Sequence, residues 1–316
     1  MKLSLIDKKI LYELDCNSRQ PISKIAKNLR IGRDKVNYRI NLLKDKDIIK
    51  KFTVTINPYK LGLIIYKTYL KLDSSKKKTK EFISYLKGQP RIYWLAECDG
   101  HWDLIFSTFA NSPKEFHDIQ DKILSEFHDV IIDFNVYTLV DVWFYRKNYL
   151  INKKPNYFFF GGKPDSISLD KIDWDILKIL SENSRENIVD IAKRLKSTIM
   201  IVKHRIKKLE KNNIIVGYRV DIDISKLDMI FFKAQLYLNN YNSQLENKLR
   251  EYCSLNPNIT YYIKQIGNCK IELEIEAKNY IEFNKILNNI REKFDFIRNI
   301  DTILIRKEHF NWVPGN

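Results

Sequence analysis

No apolar run in this sequence approaches the ~20 residues that a membrane-spanning helix needs, so no membrane span is expected. The opening MKLSLIDKKILYELD alternates charged and apolar residues and lacks the unbroken apolar core and cleavage site of a secretory signal. Cysteine is sparse: Cys16, Cys98, Cys253 and Cys269 lie far apart and form no CxxC pair. That spacing excludes zinc and thioredoxin-type readings and points to reduced thiols in a cytoplasm. The five histidines are equally scattered, with no HExxH or other paired metal spacing. No Walker loop, GxSxG elbow or GxGxxG occurs, which removes support for nucleotide hydrolysis and acyl transfer. The expectation is a cytoplasmic protein that is not an enzyme and uses no cofactor and no metal.

What the sequence has in excess is positive charge. Its 316 residues, 44% hydrophobic and 30% charged, suit about two globular domains. Lys and Arg number 55 against 39 Asp and Glu, a net charge of +16. Such an excess favours a polyanionic partner. A genome-wide Lys/Ile bias would spread these charges evenly, but they are concentrated. Residues 1–51 carry 14 basic and 6 acidic side chains, and residues 170–217 carry 11 and 7. The two blocks therefore hold twelve of the sixteen net charges.

Those blocks are copies of one another. IDKKILYELDCNSR begins at Ile6 and IDWDILKILSENSR at Ile172, an offset of 166. Residues 7–49 and 173–215 align without gaps with 18 identities in 43 positions. The shared residues include Asp7/Asp173, Ser18/Ser184, Arg19/Arg185 and Arg39/Arg205. A weaker likeness continues at offset 167, pairing Gly100 with Gly267 and Phe116 with Phe283. A period this long marks a duplicated module, not a solenoid. Between the halves lies RKNYLINKKPNYFFFGGKPDS, whose Pro, Gly and Lys content reads as a connector. Its Tyr157–Phe160 aromatic run is expected to pack against the protein.

Within residues 5–50, Leu5, Ile6, Ile10, Leu11 and Leu14 fall at helical spacing. Pro21 suits the start of a second helix with Ile22, Ile25, Ala26 and Leu29 on one face. After the tight turn Arg30-Ile31-Gly32, Val36, Ile40 and Leu43 line a third helix, and Ile48–Ile56 alternates as a strand. Three helices with a short second turn, followed by a strand, form a winged helix-turn-helix pattern. The third helix then offers Arg33, Lys35, Asn37, Tyr38 and Arg39 to double-stranded DNA, with Arg39 reaching a phosphate. The second copy offers Lys203, His204, Arg205, Lys207 and Lys208. The copies are unequal, because the second helix begins Thr198-Ile199-Met200-Ile201. Polar base readout is expected mainly from the first copy, and phosphate contacts from the second.

The remainder of each half reads β-α-β-β-α-β, a ferredoxin-like order. The fold class is therefore α+β: two winged helix-turn-helix domains and two ferredoxin-like (βαββαβ) domains in tandem. The expected boundaries are 1–60, 61–147, a connector over 148–168, then 169–226 and 227–316.

This order resembles the Lrp/AsnC, or feast/famine, family of prokaryotic regulators. The likeness rests on Asp7 followed by Ile10-Leu11, on NSR followed by IxxIAKxL, on Val36–Leu43 leading into Ile48-Ile49, on INPYKLG at 56–62, and on Gly100-His-Trp-Asp103. There are departures. Gly32 stands where the family caps the third helix with Ser or Thr. Asp47 and Asn213 stand where it has glycine. The second glycine turn is Gly267-Asn-Cys-Lys270, and the tandem form is unusual. The resemblance implies a cytoplasmic DNA-binding transcription regulator whose ferredoxin-like domains sense a small amino-acid-like effector, here placed at Gly100 and Asp103. It also implies that the two sandwich domains pair sheet to sheet as an intrachain pseudo-dimer, open to further homo-oligomer formation. Sirohaem decarboxylases resemble the same build, which makes a haem-biosynthesis enzyme the alternative. That reading needs a basic, histidine-lined pocket, and His101, His117 and His128 show no spacing for one. A sensor that has lost DNA binding is the third reading.

Overall fold

The computed structural model describes residues 3–73, 76–153, 156–239 and 242–310. The first half runs α1 (Leu5–Cys16), α2 (Ile22–Leu29), α3 (Arg33–Asp45), β1 (Ile49–Ile56), β2 (Ile64–Leu72), α4 (Lys76–Gly88), β3 (Ile92–Gly100), β4 (Leu104–Ala110), α5 (Pro113–Glu126) and β5 (Ile131–Tyr145). The connector contributes β6 (Tyr157–Gly161). The second half repeats the order as α6 (Lys171–Glu182), α7 (Ile188–Arg194), α8 (Ile199–Lys211), β7 (Ile215–Ile222), β8 (Ile230–Leu238), α9 (Ser243–Leu255), β9 (Ile259–Ile266), β10 (Ile271–Ala277), α10 (Tyr280–Lys293) and β11 (Ile297–Phe310). Among the described residues, no helix is long and apolar enough to cross a membrane.

Local chemistry explains the helical blocks. Ser4 and Asp7 form a reciprocal capping box at the start of α1, and Asp170 accepts from the Asp173 amide at the start of α6. Thr198 caps α8 by accepting from the Ile201 amide, whereas Gly32 gives α3 no side-chain cap. Asp47 and Asn213 both sit at positive φ, 51° and 54°. This explains how the chain manages without glycine there, because Asp and Asn tolerate the left-handed region better than other side chains. The apolar stripes meet as expected. Ile10, Leu11, Leu14, Ile25, Val36, Ile40 and Leu43 form one core, and Ile176, Leu177, Leu180, Ile191, Val202, Ile206 and Leu209 form the other.

The two ferredoxin-like sheets join edge to edge. Each is antiparallel, in the order β5-β2-β4-β3 and β11-β8-β10-β9. β3 pairs with β11, from Gly100 opposite Ile303 to Trp94 opposite Phe310. β5 pairs with β9, from Thr138 opposite Ile266 to Phe144 opposite Tyr261. Because β2 also pairs with β5, eight strands close on themselves, with β6 added outside β5. The outer faces are covered by helices. α4 and α5 bring Phe82, Leu86 and Ile123 onto Leu95 and Leu104, and α9 and α10 bring Leu249, Cys253, Phe283 and Leu287 onto Ile271 and Leu273. The inner faces enclose Tyr69, Trp94, Ile105, Tyr137, Ile303 and Ile305 around a set of buried charges. There, burial pushes the Glu272 carboxyl up to about 7 and the Lys233 ammonium down to about 8.

The connector is part of this structure. β6 extends the sheet along β5, and Phe158 stacks on Phe144 and beneath the Arg146 guanidinium, 3.3 Å from the ring centre. Phe158 also lies against Gly217 on β7, where an added Cβ would fall 1.9 Å from the ring. The repeat counterpart of Gly217 is Lys51, so this glycine serves a contact that only one half makes. Gly217→Val should therefore expel Phe158 and lower stability by about 1–3 kcal/mol through overpacking, read as a drop in melting temperature. A valine variant that melts with the wild type would show that this contact is not fixed.

Candidate nucleic-acid interface

The two helical blocks meet around a pseudo-two-fold axis written in the repeat itself. β1 and β7 pair antiparallel with Thr53 opposite Arg219, residues that are repeat equivalents. Ser18 and Ser184, also equivalents, share a hydroxyl hydrogen bond of 2.7 Å. The Ser18 amide donates to Tyr218 O and the Ser184 amide to Phe52 O, at 3.1 and 2.9 Å. Arg19 donates to the carbonyls of Ser184 and Glu186, at 2.5 and 2.8 Å. Arg185 returns the contact to the carbonyls of Ser18 and Gln20. Each guanidinium also lies over an aromatic ring, Tyr218 for Arg19 and Phe52 for Arg185. Burial lowers the pKa of both. The repeated NSR motif is thus a reciprocal clamp that sets α3 and α8 relative to each other.

On α3, Arg33, Lys35, Asn37 and Tyr38 are exposed, Tyr38 at 63%. Arg39 is half-buried at the edge of this face. Its guanidinium reaches back to Asp7 at 3.4 Å and ties α3 to α1. Arg205 does the same in the second copy, pairing with Asp170 and with Asp173, the latter at 3.1 Å. Lys203, His204, Lys207 and Lys208 are exposed on α8. The first turn of α8 presents Ile199, Met200 and Ile201 to solvent, Met200 at 80%. Asn41, Lys44, Lys50 and Lys51 were not singled out from the sequence. With Asn37 they line an open cleft of about 410 Å³ that is completed by Glu182, Asn183 and Arg185 of the other copy. Lys44, Lys50 and Lys51 have Glu210, Val216 and Gly217 as counterparts, so the clamp is flanked by unequal charge.

The residues expected to hold an effector serve local contacts. Gly100 has φ 129°, and a Cβ there would sit 3.0 Å from Thr302 O. The glycine lets β3 approach β11. One Asp103 carboxylate oxygen accepts from Lys71 Nζ at 3.1 Å and the other from the Leu72 amide at 2.8 Å. Gly267, its counterpart turn, faces the Tyr137 ring. His101 packs edge-on against Trp102 in the β3–β4 turn, His117 lies on α5, and His128 follows that helix.

A polar junction joins the barrel to the helical blocks. Asp15, fully buried at the end of α1, accepts from the Lys147 amide at 2.8 Å, while its backbone carbonyl accepts from Arg146 at 2.7 Å. Lys147 and Tyr149 both donate to Glu276 on β10. Arg219 on β7 donates to the Tyr261 hydroxyl on β9 at 2.6 Å, with its guanidinium 3.5 Å from the Phe144 ring centre.

A family model for winged helix-turn-helix DNA-binding domains matches residues 3–50 and 169–216. An HTH-type transcriptional regulator of Pyrococcus horikoshii is 31% identical over 133 residues, 40% of this chain and 87% of its own length. The regulator FL11 of Pyrococcus furiosus is 28% identical over 118 residues, 37% of this chain and 78% of its own. Among solved structures, the sirohaem decarboxylase NirDL superposes with a TM-score of 0.66 at 13% identity, covering 96% of this chain and 91% of that one. Escherichia coli AsnC covers 45% of this chain and 94% of its own, with a TM-score of 0.40 at 19% identity.

Proposed function

This chain belongs to the HTH-type transcriptional regulators, and we propose that it is of the Lrp/AsnC kind and binds double-stranded DNA as a regulator that reads an asymmetric operator. The observation that carries this reading is the reciprocal clamp, which fixes two exposed recognition helices with different first turns in one chain. Helix N-terminal turns enter the major groove first. Arg33 and Lys35 supply hydrogen bonds to base edges, whereas Ile199 and Met200 meet at most thymine methyls. Lys203, Lys207 and Lys208 supply phosphate contacts, which strengthen binding without specifying sequence. Selection of bound fragments from the source genome, followed by sequencing, tests this. The expected motif is asymmetric, and a perfect palindrome would overturn the reading. Lys207→Ala with Lys208→Ala should weaken binding to all DNA alike and lower the salt slope by about one unit for each phosphate no longer neutralised. A sequence-selective loss in that variant would contradict the assignment.

An amino-acid-like effector near Gly100 and Asp103 belongs to the same reading. Its ammonium would replace Lys71 on the Asp103 carboxylate, so binding would loosen β2 from the β3–β4 turn. A calorimetric screen of amino acids that gives no heat and leaves DNA affinity unchanged would retire this effector site. The whole-chain likeness to a sirohaem decarboxylase keeps an enzyme as the second reading, since that likeness shows the fold alone. Decarboxylation would need convergent basic groups for the tetrapyrrole carboxylates. His117 and His128 instead belong to the outer helix layer and His101 to a turn, while His309 on β11 is paired with Glu97 at 2.9 Å. A coloured tetrapyrrole complex, against specific retention on DNA, separates the two readings.

A further inference from the structure

The two halves of the barrel present unequal inner faces. Lys67 on β2 and Lys233 on β8 are repeat equivalents, and both are buried inside the barrel. Their neighbours differ. In the first half, Ser107 lies opposite Lys67 and Ile105 opposite Tyr69. In the second, Glu274 lies opposite Lys233 and Glu272 opposite Gln235. The first face therefore brings one positive charge and no carboxylate to these positions, and the second brings one ammonium and two carboxylates. Glu272 Oε1 accepts from Lys67 across the interior at 2.7 Å and from Lys233 in its own sheet at 3.0 Å. Tyr69 donates to the other Glu272 oxygen, and Glu274 pairs with Lys233. The Trp94 ring centre lies 4.8 Å from the Lys233 ammonium and 5.9 Å from that of Lys67.

We infer that this ionic seam makes each inner face a docking surface for the opposite half alone, so that first pairs with second and neither half pairs with its own kind. The reason is charge balance in a desolvated interior. A first–first pair would bury two ammoniums with no carboxylate between them. A second–second pair would bring four carboxylates from these positions against two ammoniums, and Glu308, which accepts from Trp94 Nε1 at 2.9 Å, would add one more from each half. A buried charge without its partner is among the costliest arrangements a protein can adopt. The same rule governs two chains that meet. Halves can exchange between copies only as first with second, so every closed barrel carries one α3 and one α8. The inference concerns how the halves recognise each other and stands apart from the DNA-binding reading.

The test uses the full chain. E272I/E274S gives the second sheet the residues of the first and mimics a first–first interior. I105E/S107E mimics a second–second interior. A six-site exchange, Y69Q/I105E/S107E/Q235Y/E272I/E274S, moves the seam to the other side of the pseudo-two-fold axis without altering the composition. Each two-site variant is expected to lose its cooperative melting transition or to melt at least about 10 °C lower. The six-site variant, which carries both damaging pairs at once, is expected to recover to within about 5 °C of the wild type. Wild-type melting in either mimic, or a six-site variant as damaged as the mimics, would overturn the inference. The recovery distinguishes pairing selectivity from a general intolerance of substitution in the core.

Discussion

Replacing Arg33 and Lys35 together by alanine is expected to abolish base discrimination at one half of the operator and leave the other half unchanged. Both side chains are exposed in the first turn of α3, the part of a recognition helix that enters the groove. A paired hydrogen bond to a base edge is worth about 1–3 kcal/mol of discrimination, or roughly 5- to 150-fold for each side chain removed. The α8 counterparts, Ile199 and Ile201, cannot form such bonds, so no equivalent loss is available on that side. Competition binding against operators with single base changes reads the effect. Equal losses at both half-sites would sink the proposed asymmetry.

Removing the clamp should act differently. Arg19→Ala with Arg185→Ala leaves four backbone carbonyls without their charged donors. Hydrogen bonds to charged groups contribute about 1.5–3 kcal/mol each, with strong non-additivity, so the double variant should lose several kcal/mol at the junction of the helical blocks. DNA binding should weaken for every sequence, because the spacing of α3 and α8 is no longer fixed. The Ser18 and Ser184 amides, which donate across the axis, should exchange hydrogen faster while barrel amides keep their protection. Unchanged exchange at those two amides would show that the arginines do not hold the junction.

The pairing of Arg39 with Asp7 shows where sequence reading stops. Helical spacing places Arg39 beside the reading face, but spacing along one helix does not identify a partner on another. The signal is present in another form: Asp7 and Arg39 recur together as Asp173 and Arg205, which is what an ion pair between helices leaves in a duplicated sequence. NSR is visible for the same reason, and its function is not, because two copies must meet before the arginines have carbonyls to bind. The helices and strand order are legible because their periodicity is local. The ring closure is not, since β3 with β11 and β5 with β9 are long-range pairings that no short window contains. Alternation is legible but misleading in β10. Glu272 and Glu274 between Ile271, Leu273 and Ile275 would ordinarily face water, yet helices occupy the outer face of that sheet and the glutamates point inward.

Ring closure also sets an order of events during synthesis. The first half leaves the ribosome complete except for its neighbours, because the partners of β3 and of the second part of β5 are β11 and β9. At about 5–20 residues per second, the remaining half takes on the order of ten seconds or more to appear. Through that interval the nascent chain shows two unpaired strand edges, the condition under which sheets join the wrong chain. On polysomes the nearest wrong chain is another first half at the same stage. Lys67 has no carboxylate to meet there and faces only its own copy, so a like charge guards the open face until Glu272 has been made.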